Sequence, residues 1–429
     1  MPKIITLLKH KFARLGPGFI TGAADDDPSG IATYSIAGAQ FGYKLNWLSL
    51  FLTPMMIAVQ EMCGRIGMVS GMGLAGAIRR YYPKRLLLFS IVLLFIANTI
   101  NIGADLGVMA ASMKMVVGLP FLFWLLVVTL FTIGMEIFVP YDKYSRYLKW
   151  MGFSLLAYGV TAIITSQNWF DVIKFTLIPH IDFNPLYLMT MVGFLGTTIS
   201  PYLFFWQAAE EVEEEIKEKK IAEFEESPQI LEHEISHMQK DTAAGMIFSN
   251  LISTFIILTA AATLHVNNIT DIETPQQAAL ALRPLAGDLA YLLFAFGIIG
   301  IGLQSVPILA GGIAYAFAEA FGFKEGLAKK LTEAKAFYAT IGIATGIGAL
   351  MNLVGINAIK ALYYTAILNG IIAVPLIVII IKLADDKRII GRFKSSRWSR
   401  IFAWITFGFM GIASLLMIVN LLFPHIFSK

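Results

Sequence analysis

The sequence has very little charge and almost no cysteine. Only 14% of its 429 residues are charged, 57% are hydrophobic, and the mean hydropathy is +0.70. A soluble chain of this length needs more charge to cover its surface. The single cysteine, Cys63, excludes an intrachain disulfide and a metal site built from cysteines. These shortages indicate an integral membrane protein, and the net charge of +4 gives no sign of a nucleic-acid partner.

Long apolar runs fill most of the chain. A membrane-spanning helix needs about 20 predominantly apolar residues. We therefore predict one all-α transmembrane domain over residues 1–429, embedded in the lipid bilayer, with eleven spans. The spans are expected near 12–42 (broken), 46–68, 86–117, 119–140, 148–166, 189–209 (broken), 242–265, 286–320, 335–354, 357–383 and 398–424.

Basic residues in alternate loops predict the orientation of these spans. Loops rich in Lys and Arg stay in the cytoplasm. We therefore expect a multi-pass protein of the cell membrane with a cytoplasmic amino terminus and an external carboxyl terminus. The one sizeable polar insert, 210–241, is predicted to be a solvated cytoplasmic helix with charge pairs along its face. The basic loops are 3–14, 79–85, 143–149, 324–330 and 387–400.

Three consecutive acids, Asp25, Asp26 and Asp27, interrupt the first apolar run. Each acid at bilayer depth opposes insertion by about 2.5–3.5 kcal/mol. Helix capping by Asp27 before Pro28 explains one acid but leaves the other two without a role. A signal peptide cleaved near Ala24 is a second alternative, but its apolar region would be short and interrupted. We therefore predict a helix that is broken around a cation site.

The sixth apolar run repeats this pattern of a polar residue and a proline between two apolar halves. An apolar half-helix is followed by Ser200 and Pro201, and a second half-helix begins there. A simple proline kink is the alternative. Two interrupted helices at corresponding positions of two five-span halves are typical of an inverted-repeat transporter. We place the first repeat at about 12–166, the second at about 189–383, and an extra helix at about 398–424.

The two breaks offer only oxygen atoms to a cation. Unwinding frees carbonyl groups at the negative end of each first half-helix, and Ala24 and Thr197 are the expected carbonyl donors. Asp27 adds a carboxylate, with Asp26 next, and Ser200 adds a hydroxyl, as Ser29 and Thr198 also could. An oxygen-only site suits hard cations such as Mg²⁺, Mn²⁺ or Ca²⁺. Small residues such as Gly30 and Ser200 predict a roomy site that suits hydrated Mg²⁺.

Other functions remain open at this point. The same breaks can hold an organic cation or an amino acid, although the three acids repel a carboxylate. His233, Glu234 and His237 form an H-E-x-x-H pattern, which predicts either a membrane metalloprotease or a cytoplasmic metal site. We expect a transporter and not an enzyme, because this pattern lies in a charged insert without a third ligand.

A polar stripe on the third span suggests a second pathway. Asn98, Asn101 and Asp105 share one face of the predicted helix. A buried acid at this depth acts as a proton relay or cavity wall, or it simply bonds to a neighbouring helix. Both interpretations remain open.

Several motifs resemble those of the NRAMP family of divalent metal transporters, in order and over nearly the whole chain. The resemblance implies a LeuT-like fold of two inverted five-helix repeats plus one helix. It also implies alternating access. We expect the metal to be the substrate, with no cofactor, and the protein to be a monomer. The matching stretches are Gly16-Pro17-Gly18-Phe19, Asp27-Pro28-Ser29-Gly30, Ile66–Gly71, Gly196–Tyr202, Gly302–Ser305 and Asp386–Gly391.

The sequence departs from this family where metal ligands belong. Gly30 replaces the motif asparagine, Ser200 the methionine, Tyr202 the proton-pathway histidine, and Ala373 a glutamine before the span-ten proline. Asp27 is the one matching side-chain ligand, and Ala24 and Thr197 match the carbonyl positions. Loss of the thioether removes a preference for softer metals. The pattern resembles the Nramp-related magnesium transporters. We expect Mg²⁺ first and Mn²⁺ second, with proton coupling through Tyr202, Asp105 or Asn101 left open.

Overall fold

The computed structural model describes residues 16–139 and 155–423, and these parts of the chain form helices and turns without a strand. We number the helices in chain order. They are α1 (Pro17–Ala23), α2 (Pro28–Phe41), α3 (Trp47–Ser70), α4 (Leu74–Tyr81), α5 (Lys84–Val117), α6 (Phe121–Phe138), α7 (Leu156–Ile164), α8 (Trp169–Leu177), α9 (Pro185–Thr198), α10 (Pro201–Lys217), α11 (Glu232–Ala260, continued by a π turn, Ala261–His265), α12 (Pro275–Ala279), α13 (Arg283–Ala286), α14 (Ala290–Phe321), α15 (Lys335–Met351), α16 (Ala358–Asp385), α17 (Lys387–Ile390) and α18 (Arg397–Leu422).

Eight stretches of the described chain are long and apolar enough to cross a membrane. Three predicted spans are not among them, each for a visible reason. The first is divided between α1 and α2, and the second, α3, carries Glu61 and Arg65. The fifth begins outside the described residues. The eight stretches are Lys84–Val117, Phe121–Phe138, Pro185–Lys217, Glu232–His265, Pro275–Phe321, Lys335–Val354, Ala358–Asp385 and Arg397–Leu422.

Both predicted helix breaks are present. Asp27 caps α2 and Ser200 precedes α10, and both residues have extended backbones. Pro28 and Pro201 each occupy the first helical position, where proline has a suitable φ and its missing N–H has no intrahelical partner to lose. The two second half-helices therefore begin in the same way, as the repeat of the motif indicates.

The first half-helix, α1, is fixed to α11 through its backbone. A Cβ at Gly22 would overlap the backbone of Gly245, so the two helices approach as closely as glycine permits. The Asp241 carboxylate accepts hydrogen bonds from the amides of Gly16 (3.0 Å) and Phe19 (2.9 Å) at the start of α1. These contacts make α1 and α11 one packing unit.

The polar insert is not the separate solvated helix that the charge pattern predicts. α10 continues to Lys217, and Glu211 and Glu215 on it are buried. Glu211 accepts a hydrogen bond from Gln207 at 2.7 Å. The insert ends in the first turns of α11, so only 218–231 forms a connection. The prediction is wrong because charge spacing cannot reveal that acids on this helix are packed against neighbouring helices.

The turn after α14 buries a carboxyl group, that of Glu325. Its burial, followed by repulsion from Glu319, Glu213 and Glu225, raises the pKa of Glu325 to about 10. The folded protein therefore keeps this group protonated at neutral pH, whereas the unfolded chain ionises it above about pH 4.3. The contribution of Glu325 to the free energy of unfolding therefore falls as the pH rises between those two values.

The variant Glu325→Gln tests this buried acid. The neutral amide cannot ionise, so we expect a higher unfolding temperature than that of the wild type at about pH 8.5, and little difference at about pH 5. Thermal unfolding of purified protein at both pH values measures the effect. An unfolding-temperature difference that is the same at both pH values would contradict the protonated state.

Candidate metal site at the two helix breaks

Asp27 brings the first break into contact with the second. Its Oδ1 accepts hydrogen bonds from the Gly30 amide (2.8 Å) and the Ser29 hydroxyl (2.6 Å). The Ser29 hydroxyl also lies 3.3 Å from the Thr197 hydroxyl in the last turn of α9. A carboxylate is thereby held at the point where the two broken helices meet, close to the negative end of α9.

A third helix supports this carboxylate from the other side. The Asn101 amide on α5 donates to Asp27 Oδ2 at 2.9 Å. The Asn101 side-chain oxygen is buried and has no hydrogen-bond partner among the described residues. Both Asp27 oxygens are thus fixed in position, and the amide next to them retains one unused acceptor.

The two predicted carbonyl donors lie at their expected places, and each one faces a hydroxyl. The Tyr202 phenol donates to the Ala24 carbonyl at 3.2 Å. The Ser200 hydroxyl lies 2.7 Å from the Gly196 carbonyl and 2.8 Å from the Thr197 carbonyl, so it turns back onto α9. The carbonyl groups at both breaks thus have hydroxyl groups as their present partners, and the Tyr202–Ala24 contact joins the first break to α10.

The site is buried and tightly packed. The side chains of Asp27, Thr197, Ser200 and Tyr202 are each at most 1% exposed. A Cβ at Gly30 would lie only 3.2 Å from the Thr197 hydroxyl. The site at this position is therefore tight, contrary to the roomy site that the sequence predicts. Glycine at 30 leaves space for the contact between the two breaks and does not line an open chamber.

Asp25 and Asp26 lie apart from this arrangement. The Ser249 hydroxyl on α11 donates to Asp25 at 2.6 Å and lies 3.3 Å from an oxygen of Asp26. Each acid keeps one buried oxygen without a partner among the described residues. Asp26, a predicted ligand, therefore lies beside Asp25 at Ser249 of α11 and not at Thr197. Sequence reasoning missed Ser249, because an isolated serine in an apolar span carries no local signal.

The polar stripe on α5 connects three helices. Asn98 donates to the Leu309 carbonyl at 2.9 Å, and the Ser305 hydroxyl donates to Asp105 at 3.0 Å. Asn101, between them, reaches Asp27. Asp105 thus makes a hydrogen bond to a neighbouring helix, which is one of the two roles that the sequence predicts for it. Its second carboxylate oxygen has no hydrogen-bond partner within the described residues.

The H-E-x-x-H pattern does not form a catalytic centre. His233 and His237 are exposed in the first turns of α11. Glu234 accepts the Leu231 amide at 2.7 Å and pairs with the Lys220 ammonium at 2.7 Å, so both of its oxygens are engaged. Over residues 16–139 and 155–423, no three His, Cys, Asp or Glu side chains are grouped to hold a metal.

We expect Glu234→Gln to leave transport unchanged. The amide oxygen can still accept the Leu231 amide, and the lost ion pair is partly exposed and worth at most about 1 kcal/mol. Metal uptake into vesicles measures the outcome. A peptidase activity in the wild-type protein that this variant lacks would instead support the metalloprotease interpretation.

Solved structures share this architecture. A manganese transporter of Eremococcus coleocola, crystallised with an aromatic bis-isothiourea substituted compound, is similar with a TM-score of 0.70 at 18% identity, over 94% of this chain and 85% of that chain. Mhp1, a nucleobase-cation-symport-1 family transporter, has a TM-score of 0.59 at 14% identity, over 96% and 91%. The predicted all-α, LeuT-like fold is confirmed.

Curated relatives agree with a transporter and not with an enzyme. The divalent metal cation transporter MntH of Agrobacterium fabrum is 25% identical over 92% of this chain and 85% of its own length. The protein of the same name from Klebsiella pneumoniae (strain 342) is 24% identical over 92% and 91%. Residues 18–420 match the family described as natural resistance-associated macrophage protein-like, Nramp. With this match over nearly its whole length, the chain belongs to the Nramp family.

Proposed function

We propose that this chain carries divalent metal cations across the cell membrane by alternating access, with Mg²⁺ preferred and Mn²⁺ second. The family and the names of the relatives support a divalent metal cation as the substrate. The proposed ligands are the Asp27 carboxylate and the Ala24 and Thr197 carbonyls. Ser200 and water molecules complete the set of ligands. Asp26 is not a direct ligand in this proposal and lies behind the residues that bind the ion.

One observation carries this proposal: a fully buried carboxylate lies where two broken spans meet. An isolated carboxylate at this depth is unfavourable unless a positive charge accompanies it. Over residues 16–139 and 155–423, the side-chain and amide groups that hydrogen-bond to the Asp27 carboxylate belong to Ser29, Gly30 and Asn101, and all three are neutral. A divalent cation bound between Asp27 and the carbonyl ends of α1 and α9 supplies the missing positive charge.

The donor set supports a hard cation. Carboxylate, carbonyl and hydroxyl oxygens suit Mg²⁺ and Mn²⁺, whereas a thioether favours softer metals. Ser200 occupies the position at which a methionine would present sulfur to the ion. Its hydroxyl is small and turned toward α9, which leaves ion hydration to water molecules.

A small apolar cavity, about large enough for one water molecule, lies beside α2. It is lined by Pro28, Ile31, Ala32, Phe294 and Ile298, among others, and it adjoins the break on one side. α1, which leads into the break, is packed onto α11 at Gly22 and Gly245. Alternating access requires a movement that opens the buried site, and we propose that α1 moves together with α11.

The positions of the basic loops support the proposed orientation. Tyr82 donates to Asp386 at 3.3 Å, and Arg79 pairs with Glu225, so the connections after α4, α10 and α16 lie at one end of the bundle. We assign this end to the cytoplasm, with the carboxyl terminus outside. The basic residues of 3–14 and 143–149 lie outside the described residues.

Vesicle uptake tests the function most directly. Purified protein reconstituted into liposomes is expected to take up Mg²⁺, followed by Mn²⁺, and not amines or amino acids. Uptake with and without a pH gradient decides whether protons are coupled, which we do not expect through Tyr202 because a phenol holds its proton near neutral pH. Absence of uptake of every divalent cation, together with uptake of an organic cation, would contradict the proposal.

We expect Ser200→Met to shift selectivity toward Mn²⁺ and Cd²⁺. A thioether at this position adds a soft ligand and removes a hydroxyl, so the ratio of Mn²⁺ to Mg²⁺ uptake should rise about tenfold. Ser200→Ala is the matched control, because it removes the hydroxyl without adding sulfur and should weaken uptake only modestly. Identical ratios in Ser200→Met and the wild type would show that this position does not set selectivity.

A further inference from the structure

α8 exposes most of its large apolar side chains. Four large apolar residues lie on its outward side, with exposed fractions of 51% at Trp169, 75% at Phe170, 57% at Ile173 and 59% at Leu177. At 3.6 residues per turn they cover an arc of about 100°. We call these four residues the apolar arc of α8.

Thr176 of α8 and the residues that flank the helix are joined by polar contacts to the α2–α3 connection and to the first residue of α3. Asn46 donates to the Thr176 hydroxyl at 2.7 Å. Tyr43 donates to Gln167 at 2.7 Å, and the Trp47 indole donates to the His180 carbonyl at 3.1 Å. A surface helix in water has its polar side outward. In α8, Val172 is buried and Thr176 is bonded to Asn46, whereas the apolar arc faces away from the protein.

The edges of the arc indicate what covers it. Asp171 and Lys174 follow one another along one edge, and the Lys174 ammonium lies 5.3 Å from the Phe175 ring centre. A tryptophan and a lysine beside an apolar stripe are typical of the boundary between lipid and water. On α3, against which α8 packs, Leu50 and Phe51 are also exposed, at 46% and 39%. The apolar arc thus continues the lipid-facing surface.

We propose that α8 is an interfacial helix whose apolar arc inserts into the lipid leaflet at its end of the molecule. Such helices bury their apolar face about 5–10 Å into the boundary between headgroups and acyl chains. The edge with Asp171 and Lys174 faces water. Given the proposed orientation, this is the outer leaflet. The hydrogen bonds of Thr176 in α8, and of Gln167 and His180 on either side of it, fix the α2–α3 connection. The leaflet therefore supports the outer end of the broken first span.

Two adjacent cysteine variants test the placement. Phe170→Cys lies in the apolar arc, and Asp171→Cys lies on its polar edge and is the matched control. The native Cys63 is fully buried in α3 and is not expected to react with the label. Each variant carries a bimane fluorophore and is reconstituted into phosphatidylcholine–phosphatidylglycerol vesicles that contain lipid brominated near the top of its acyl chains.

Brominated lipid is expected to quench the probe at 170 about threefold more than the probe at 171, and aqueous iodide is expected to show the reverse order. Equal iodide quenching at both positions would place α8 in water and overturn the proposal. Shielding of the probe at 170 from both quenchers would show that a second copy or another part of the chain covers the arc. That result would also overturn the proposal. Ile173→Cys and Lys174→Cys form a second pair if either first variant elutes as aggregate.

Discussion

Replacing the buried carboxylate at the first break is expected to abolish transport. Asp27→Asn keeps the shape of the side chain: its amide oxygen can accept the Gly30 amide and the Ser29 hydroxyl. Its new NH₂ group faces Asn101, whose own amide can flip because its oxygen has no other partner among the described residues. The fold is therefore retained while the negative charge is lost.

The expected loss of Mg²⁺ uptake in Asp27→Asn is about 100-fold or more, which corresponds to about 2.7 kcal/mol of cation interaction. Asp27→Ala should lose as much transport and, in addition, about 1 kcal/mol of stability from the missing helix cap. Asp288→Asn, an exposed acid in a surface turn, is the matched control and should transport normally. Wild-type uptake by Asp27→Asn would remove this residue from the site.

The second large effect is expected from a single methyl group at Gly196. A Cβ there would overlap the Ala366 carbonyl oxygen and the Gly370 amide nitrogen, which belong to the backbone of α16 and cannot rotate away. Overpacking against backbone is destabilising by about 3 kcal/mol or more. The displaced segment carries Thr197 directly, so Gly196→Ala should lose both thermal stability and transport.

A second glycine offers a matched control for this change. Gly342 lies in α15, and a Cβ at that position meets no atom within 4 Å. Gly342→Ala should therefore leave transport intact and raise helix stability by up to about 1 kcal/mol. Unfolding temperature and Mg²⁺ uptake of both variants measure the contrast. A Gly196→Ala protein as stable and active as Gly342→Ala would show that the close approach of α9 and α16 is not required.

Much of the fold follows from the sequence, because membrane helices leave strong local signals. Apolar runs mark the spans, and an acid or serine before a proline marks each break. The positions of Asp27, Ala24 and Thr197 at the two breaks could be predicted from these signals, since capping and carbonyl positions depend on the local chain. The charged insert could not be described correctly, because some of its acids, such as Glu211 and Glu215, are buried against neighbouring helices.

The direction of each buried side chain is the part that sequence could not supply. Asp25, Asp26 and Asp27 are consecutive, yet Asp27 faces α5 and α9 while the other two meet Ser249 on α11. The backbone turns between α1 and α2, so neighbouring residues leave it in different directions. The back-bonding of the Ser200 hydroxyl to α9 also depends on geometry that no motif records.

The location of a bound ion tests the central claim most directly. Protein crystallised with Mn²⁺, with diffraction collected near the manganese absorption edge, gives an anomalous peak wherever the ion is bound. We predict one strong peak within metal–oxygen bonding distance of the Asp27 carboxylate and of the Ala24 or Thr197 carbonyl, and no such peak in Asp27→Asn. A peak between Asp25 and Asp26, or one that persists in Asp27→Asn, would contradict it.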